Sequence, residues 1–310
     1  MLNYKTAMRY FDIQVNGFGG VDFNQDDLTL EDLNFACRRL QCEGVEGILA
    51  TIITEAPEKM IARLKRLVEL RECDPLAKSV IAGFHVEGPF LSPKEGFRGA
   101  HPVDAICLAD ETLAARLLEA GAGFVRIFTL APEQDPGAQV TRFLHDEGTV
   151  VSAGHTDATL DELRGGIDAG LSMMTHLGNG CPRLLDRHDN IIQRALFLRD
   201  YLWLSFIPDG VHIPLPVLRN YLDLAGDKAL LTSDAMAAAG LGPGVYQIGR
   251  WSVEVKENLA AWAPDGSHLL GSARSLKHSV AGLANHLDLS PTQIETLTWF
   301  KPRQSIGLVD

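Results

Sequence analysis

No stretch of this chain approaches the roughly 18–20 consecutive apolar residues that a membrane-spanning helix requires, so no membrane role is expected. The opening Met1-Leu2-Asn3-Tyr4-Lys5 lacks the apolar segment of a secretion signal, and the expected location is cytoplasmic. Cysteine is sparse: Cys37, Cys42, Cys73, Cys107 and Cys181, an odd number with no pair at C-x-x-C spacing. Free thiols in a reducing compartment are expected rather than a disulfide framework. Cys181 reads as a small packing residue. Positive charge is also short, with 28 Lys and Arg against 40 Asp and Glu, a net charge of −12. Nucleic-acid affinity rests on Lys and Arg contacts to phosphate, so such a partner is not expected. An anionic small molecule stays compatible, because a local Arg or His overrides the global field. Internal repeats, low-complexity tracts and linkers are absent.

What the chain does have is alternation. Its 310 residues, 46% of them apolar, suffice for one (β/α)₈ barrel, which typically takes about 250. Strand-like runs fall at 11–16, 47–54, 80–87, 123–130, 149–155, 171–176, 201–207 and 229–234. Helical patterns lie between them at 28–43, 57–71, 112–120, 135–147, 159–169, 190–199 and 215–225. Thr29 with Asp32 three residues on reads as a cap for the first helix. Eight strands with seven intervening helices favour a closed (β/α)₈ barrel, an α/β fold, over an open doubly wound sheet. The segment 240–271 breaks the pattern. It is rich in Gly and Pro, and its alternation over 246–255 reads as a small antiparallel excursion within a single domain spanning 1–310. Helices are expected again at 275–286 and 291–300.

Four of the apolar runs end in a residue that can do chemistry: Glu87, His155, His176 and Asp234. Short apolar runs of this kind suit buried parallel strands, and in a (β/α)₈ barrel all strand C-termini open on the face that holds the active site. A lone strand-end histidine is ordinarily structural; three such residues on three strands of one face make a His₂Glu metal site with a position left for water. Asp234 would then take a proton from that water and pass it to a leaving nitrogen. The pattern points to metal-assisted hydrolysis. His85, two residues before Glu87, should face the same side of its strand, behind the ligands or among them. His101, Asn179, Gly180 and His212 lie on loops that follow strands and reach the same face. Arg187 is a candidate for bidentate oxyanion binding, or else a solvated surface charge. His145, His188, His268, His278 and His286 read as surface or structural.

Taken in order, the blocks Gln14–Phe23 (QVNGFGGVDF), His85–Phe90 (HVEGPF), Gly99–His101, Gly154-His155, Thr175–Asn179 (THLGN), Asp209–His212 (DGVH) and Thr232–Gly240 (TSDAMAAAG) are similar to those of the N-acetylglucosamine-6-phosphate deacetylase family of amidohydrolases. The resemblance runs from about Phe11 to Ser272. It implies a divalent metal, usually zinc, on Glu87, His155 and His176, with Asp234 as acid/base. It implies sugar and acetamide contacts from His101, Asn179, Gly180 (through its backbone) and His212. Arg187 stands where the family places a phosphate-binding arginine, which can act across a homodimer interface. Many amidohydrolases carry H-x-H on the first strand and bind a second metal through it. Here Gln14 and Asn16 occupy those positions, and amides are poor zinc ligands, so one metal is expected, with Gln14, Asn16 and His85 behind the ligands. The ligand set also suits Fe²⁺ or Co²⁺.

The resemblance implies a β-sandwich built from both chain ends, of which this chain would keep at most a vestigial appendage. Two loops, 177–182 and 183–190, differ from the family's usual sequence. The expected reaction is hydrolysis of the acetamide of N-acetylglucosamine 6-phosphate to acetate and the amino sugar phosphate. The alternatives are hydrolysis of another N-acyl or cyclic amide, and a non-catalytic barrel that binds a sugar phosphate.

Overall fold

Short apolar runs buried on both faces need helices on one side and a filled interior on the other. Eight of them meet that need here. In the computed structural model, which describes residues 8–248, 251–263, 266 and 268–308, the strands are β1 (Tyr10–Val15), β2 (Val45–Ile53), β3 (Ile81–Glu87), β4 (Val125–Leu130), β5 (Val150–Ala153), β6 (Leu171–Met174), β7 (Trp203–Phe206) and β8 (Ala229–Leu231). Each pairs in parallel with the next. A parallel bridge from Val15 to Ala235 joins the first strand to the turn after the last. Buried Asp12 stitches the same seam: it accepts from Thr232 Oγ1 at 2.6 Å and from Ser233 N at 3.0 Å. The barrel is closed, and the open doubly wound sheet is excluded.

Helices α1 (Leu30–Cys42), α2 (Pro57–Cys73), α3 (Glu111–Ala120), α4 (Gln139–Asp146), α5 (Leu160–Asp168), α6 (Ile191–Phe197) and α7 (Leu215–Ala225) cover the outside. Their starts are set chemically. Thr29 and Asp32 form the expected capping box, Thr159 and Glu162 form another, and Asn190 caps α6 through its side chain. A short helix, Pro75–Val80, and a hairpin of Gly17–Phe18 with Val21–Asp22 were not expected. Past the barrel, β9 (Gly244–Ile248), β10 (Trp251–Val255) and β11 (Ala261–Trp262) form an antiparallel sheet within the predicted excursion; Gly249 and Arg250 lie outside the described residues. Helix α8 (Leu276–His286) follows. The last helical segment runs through Pro291–Glu295, a π-helical turn at Thr296–Phe300, and Lys301–Ser305. Among the described residues, no helix is long and apolar enough to cross a membrane.

The barrel interior changes character from bottom to top. Phe11, Ile13, Leu49, Ile127, Met173 and Leu230 fill its lower part, closed from below by Trp299 and Ile306. Above them lies a polar layer of His85, Thr129, Ser152 and Thr175, all buried. Their strand neighbours Phe84, Val86, Phe128, Leu130, Val151 and Ala153 pack outward against the helices, the period of two that a strand imposes. On β1 the phase shifts. Phe11 and Ile13 face inward, yet Gln14 and Asn16 reach the top of the barrel, across a register irregularity between Asp12 and Val15.

A candidate metal centre at the barrel mouth

The site residues sit at or just beyond the strand ends. Glu87 is the last residue of β3, but His155, His176 and Asp234 lie two or three residues past β5, β6 and β8. All three adopt left-handed backbone, with φ of 50°, 32° and 51°. A non-glycine residue rarely takes that conformation, and it ends the strand ladder. The apolar runs therefore extend further in sequence than the strands do in space. The tight turns aim the three side chains into the mouth instead of along the wall.

Glu87, His155 and His176 converge. His176 Nε2 lies 3.0 Å and His155 Nε2 3.4 Å from Glu87 Oε1, and the candidate donor atoms of all three, all buried residues, are within 4.8 Å of one another. Gln14 Nε2 donates to the same Glu87 oxygen at 3.2 Å. The carbonyl of Phe97 accepts from His155 Nδ1 at 2.8 Å, which puts a ring proton on Nδ1 and leaves Nε2 facing Glu87. Burial alone would raise the Glu87 carboxyl. Hydrogen bonds and charge from His155 and His176 outweigh it and hold Glu87 well below the usual range. His176 shows the converse: burial disfavours its cation, but Glu87 and then Asp234 raise it overall. One carboxylate and two imidazole nitrogens, buried and preset, are the donor set that a tetrahedral divalent cation takes, with a place left over. The residues fit the group.

Asp234 accepts from Asn16 Nδ2 at 2.7 Å. Burial, reinforced by the Glu87 charge and opposed by His176 and His212, pushes its carboxyl up to about 6. That is a suitable value for a group that takes and returns a proton near neutrality. His85 is not among the ligands. Its Nδ1 donates to Ile13 O at 3.2 Å, and its Nε2 accepts from Thr129 Oγ1 at 2.7 Å. Thr129 and Thr175 hydroxyls lie 2.8 Å apart, and Thr175 and Ser152 2.6 Å. Burial holds His85 neutral, its pKa down to about 4.

The cluster opens into a cavity of about 520 Å³. His101, Asn179, Gly180 and His212 all line it. The His101 ring stands edge-on to His155 at 4.3 Å, and burial lowers its pKa to about 3. Asn179 Nδ2 donates to His176 O at 3.3 Å. His212 Nδ1 donates to Asp209 Oδ2 at 2.7 Å. Arg187 is exposed and does not line the cavity; the guanidinium groups that do are Arg63 and Arg183. His268, expected at the surface or in a structural role, lines the cavity too, beside Trp262 from β11. Both come from the excursion after the barrel, where no strand-end signal marks a site. Asp209 stood in plain view in the Asp209–His212 block, but only its contacts show what it holds.

No family model matches the chain. Curated relatives do. The N-acetylglucosamine-6-phosphate deacetylase of Bacillus subtilis (strain 168) is 33% identical over 302 residues, 96% of this chain and 74% of the relative. The human protein of the same name is 31% identical over 315 residues, 97% of this chain and 74% of the relative. The N-acetylgalactosamine-6-phosphate deacetylase of Escherichia coli O157:H7 is 27% identical, covering 96% and 77%. Among solved structures, a mutant of the Mycobacterium smegmatis N-acetyl-D-glucosamine-6-phosphate deacetylase in complex with N-acetyl-D-glucosamine 6-phosphate superposes with a TM-score of 0.87 at 28% identity, covering 97% of this chain and 77% of that one. The Thermotoga maritima enzyme gives 0.84 at 26%, covering 97% and 78%. A relative one-third identical and aligned over nearly the whole of this barrel, with the Glu–His–His cluster at its mouth, decides the matter: the chain belongs to the N-acetylglucosamine-6-phosphate deacetylase family.

Proposed function

We propose that this protein hydrolyses the acetamide of N-acetylglucosamine 6-phosphate, releasing acetate and glucosamine 6-phosphate. One observation carries the reading. The Glu87–His155–His176 cluster and Asp234 share one buried mouth in a chain of which 96–97% aligns with proteins named as deacetylases of this substrate, over 74–77% of their length. A divalent cation on Glu87, His155 and His176 supplies Lewis acidity, polarising the acyl oxygen and making water acidic near neutral pH. Zinc suits this donor set best, with Fe²⁺ or Co²⁺ as alternatives. Gln14 and Asn16 contribute amides where a second ion would need imidazoles, so one ion per chain follows.

The protein's own groups do the rest. Asp234 takes a proton from the attacking water as the new C–O bond forms. It returns that proton to the departing nitrogen as the C–N bond breaks, leaving acetate and the amine. Asn16 keeps Asp234 aimed while it does so. His101, Asn179, the backbone of Gly180, and His212 line the space in which the sugar would lie. Arg187 is exposed and off the cavity lining, so we read its phosphate role as one exercised across a homodimer, toward the mouth of a second copy. A sugar phosphate does not cross membranes unaided, which supports a cytoplasmic location.

The test is acetate release by metal-reconstituted protein. N-acetylglucosamine 6-phosphate, its unphosphorylated form and N-acetylgalactosamine 6-phosphate are compared. The reading expects the first to be turned over fastest. Equal rates with the unphosphorylated sugar would remove the phosphate contact, and a faster galactosamine epimer would reassign the substrate. Tight sugar binding with no acetate would leave a binding protein.

A further inference from the structure

His212 lines the cavity, and the groups behind it form a closed set. Asp209 accepts four hydrogen bonds, and they divide evenly between its two oxygens. Oδ1 takes the backbone N–H of Val211 and of His212, each at 2.8 Å. Oδ2 takes His212 Nδ1 at 2.7 Å and Ser272 Oγ at 3.0 Å. Four donors around one buried carboxylate leave it ionised, and its pKa is drawn below the usual aspartate value, to about 2. Burial pulls that value up; the charge and hydrogen bonds of His212 outweigh it. An ionised carboxylate only accepts, so the proton on Nδ1 is fixed and Nε2 is the one ring nitrogen left for a ligand.

Ser272 reaches into this set from the far side of the excursion. Its backbone N–H donates to Asp234 O at 2.8 Å, and its carbonyl accepts from Met236 N at 3.0 Å. The same residue therefore ties down both the turn that carries Asp234 and the carboxylate that carries His212. Nothing in the reaction touches Asp209 or Ser272; they act through His212.

We infer that Asp209 and Ser272 are positioning residues for substrate: they lock His212 as the Nδ1–H tautomer, so that its Nε2 accepts from a hydroxyl of the bound sugar phosphate in one fixed orientation. The inference rests on the deacetylase reading for the identity of the ligand, but not for the tautomer. Asparagine at position 209 cannot replace the carboxylate. Whichever side its NH₂ takes, that group faces donors and gives up two of the four bonds.

The experiment pairs kinetics with a tautomer measurement on the zinc-loaded enzyme. Asp209→Asn should raise KM for N-acetylglucosamine 6-phosphate by about 2- to 10-fold, the worth of one neutral hydrogen bond, with kcat changed much less and one zinc per chain retained. His212→Gln should show the same split. The double variant should be no worse than His212→Gln alone, because Asp209 has no other route to the substrate. Ser272→Ala should lie between wild type and Asp209→Asn. It removes only one of the four bonds, and it carries the test if Asp209→Asn does not fold. In ¹⁵N-resolved NMR, His212 should be protonated at Nδ1 in the wild type and lose that preference in Asp209→Asn. Losses that multiply in the double variant, a fall in kcat and zinc content with KM unmoved, or a wild-type His212 protonated at Nε2 alone would each overturn the inference. Absence of acetate release by the wild type would instead remove the deacetylase reading, with the NMR result still deciding the tautomer.

Discussion

At the scale of single residues the barrel mouth divides labour by burial and partner. Glu87 and Asp234 are both enclosed carboxylates, yet their acidities move in opposite directions. Glu87 faces two imidazoles and stays ionised; Asp234 faces one amide donor with Glu87 near by and is raised to about 6. The first suits a ligand, the second a group that shuttles a proton. Asp234→Asn keeps the shape and the possibility of a hydrogen bond with Asn16 but cannot take a proton. Acetate release should fall by about 10²- to 10⁴-fold with zinc content unchanged. Normal turnover in that variant would remove Asp234 from the chemistry. Most of this was legible in the sequence, because Glu87, His155, His176 and Asp234 each end an apolar run. The left-handed turns at three of them were not legible, since only the folded packing forces histidine and aspartate into a conformation their side chains disfavour.

At the scale of elements, two loops close on one ligand. Gly99, between β3 and α3, and Gly180, between β6 and α6, both have left-handed backbone, φ 55° and 62°. A Cβ on Gly99 would lie 2.9 Å from His155 Cε1, and one on Gly180 2.9 Å from His155 Nδ1. Backbone this close leaves no room for a side chain, so the loops that carry His101 and Asn179 also fix the imidazole. Gly99→Ala should therefore weaken zinc binding by about 10- to 100-fold in chelator competition, the usual cost of disturbing a ligand's support. The left-handed backbone should cost about 1–2 kcal/mol of stability as well. An unchanged zinc affinity would show that the ring shifts without consequence. Strand and helix order was readable from periodicity, and α7 matches its expected 215–225 at both ends. The hairpin after β1, the Pro75–Val80 helix and the cavity wall from β11 were not readable. Each is short; the Pro75–Val80 helix does carry a local start signal, Asp74 capping Leu76 N and Ala77 N with Pro75 at its first position, but its six residues are too few to show a helical period.

At the scale of the whole molecule the barrel interior is a gradient. It runs from apolar at the base, through the His85–Thr129–Thr175–Ser152 layer, to the charged cluster at the mouth. Such a gradient makes stability depend on pH in a defined direction. His85 is depressed to about 4 by burial, whereas an unfolded chain protonates histidine near 6.5. Between those values the unfolded state binds the extra proton, so the stabilisation present above about pH 6.5 is lost as pH falls toward about 4. At about 1.4 kcal/mol per pKa unit, His85 alone accounts for on the order of 3 kcal/mol. His101 acts in the same direction, its window reaching to about 3. His176 runs the other way. Raised by Glu87, it stabilises the metal-free fold at low pH and loses that contribution as pH rises through its folded value. Urea unfolding of metal-free protein separates these effects, because His85→Gln leaves His101 and His176 in place and keeps an amide to bond Ile13 and Thr129. Relative to wild type the variant should gain on the order of 3 kcal/mol of stability as pH falls from 7 toward about 4, because it lacks the imidazole that the unfolded chain protonates. Curves that stay parallel over that range would mean that the buried layer accepts a proton on His85 at no cost, and the gradient would then not govern the acid limb of stability.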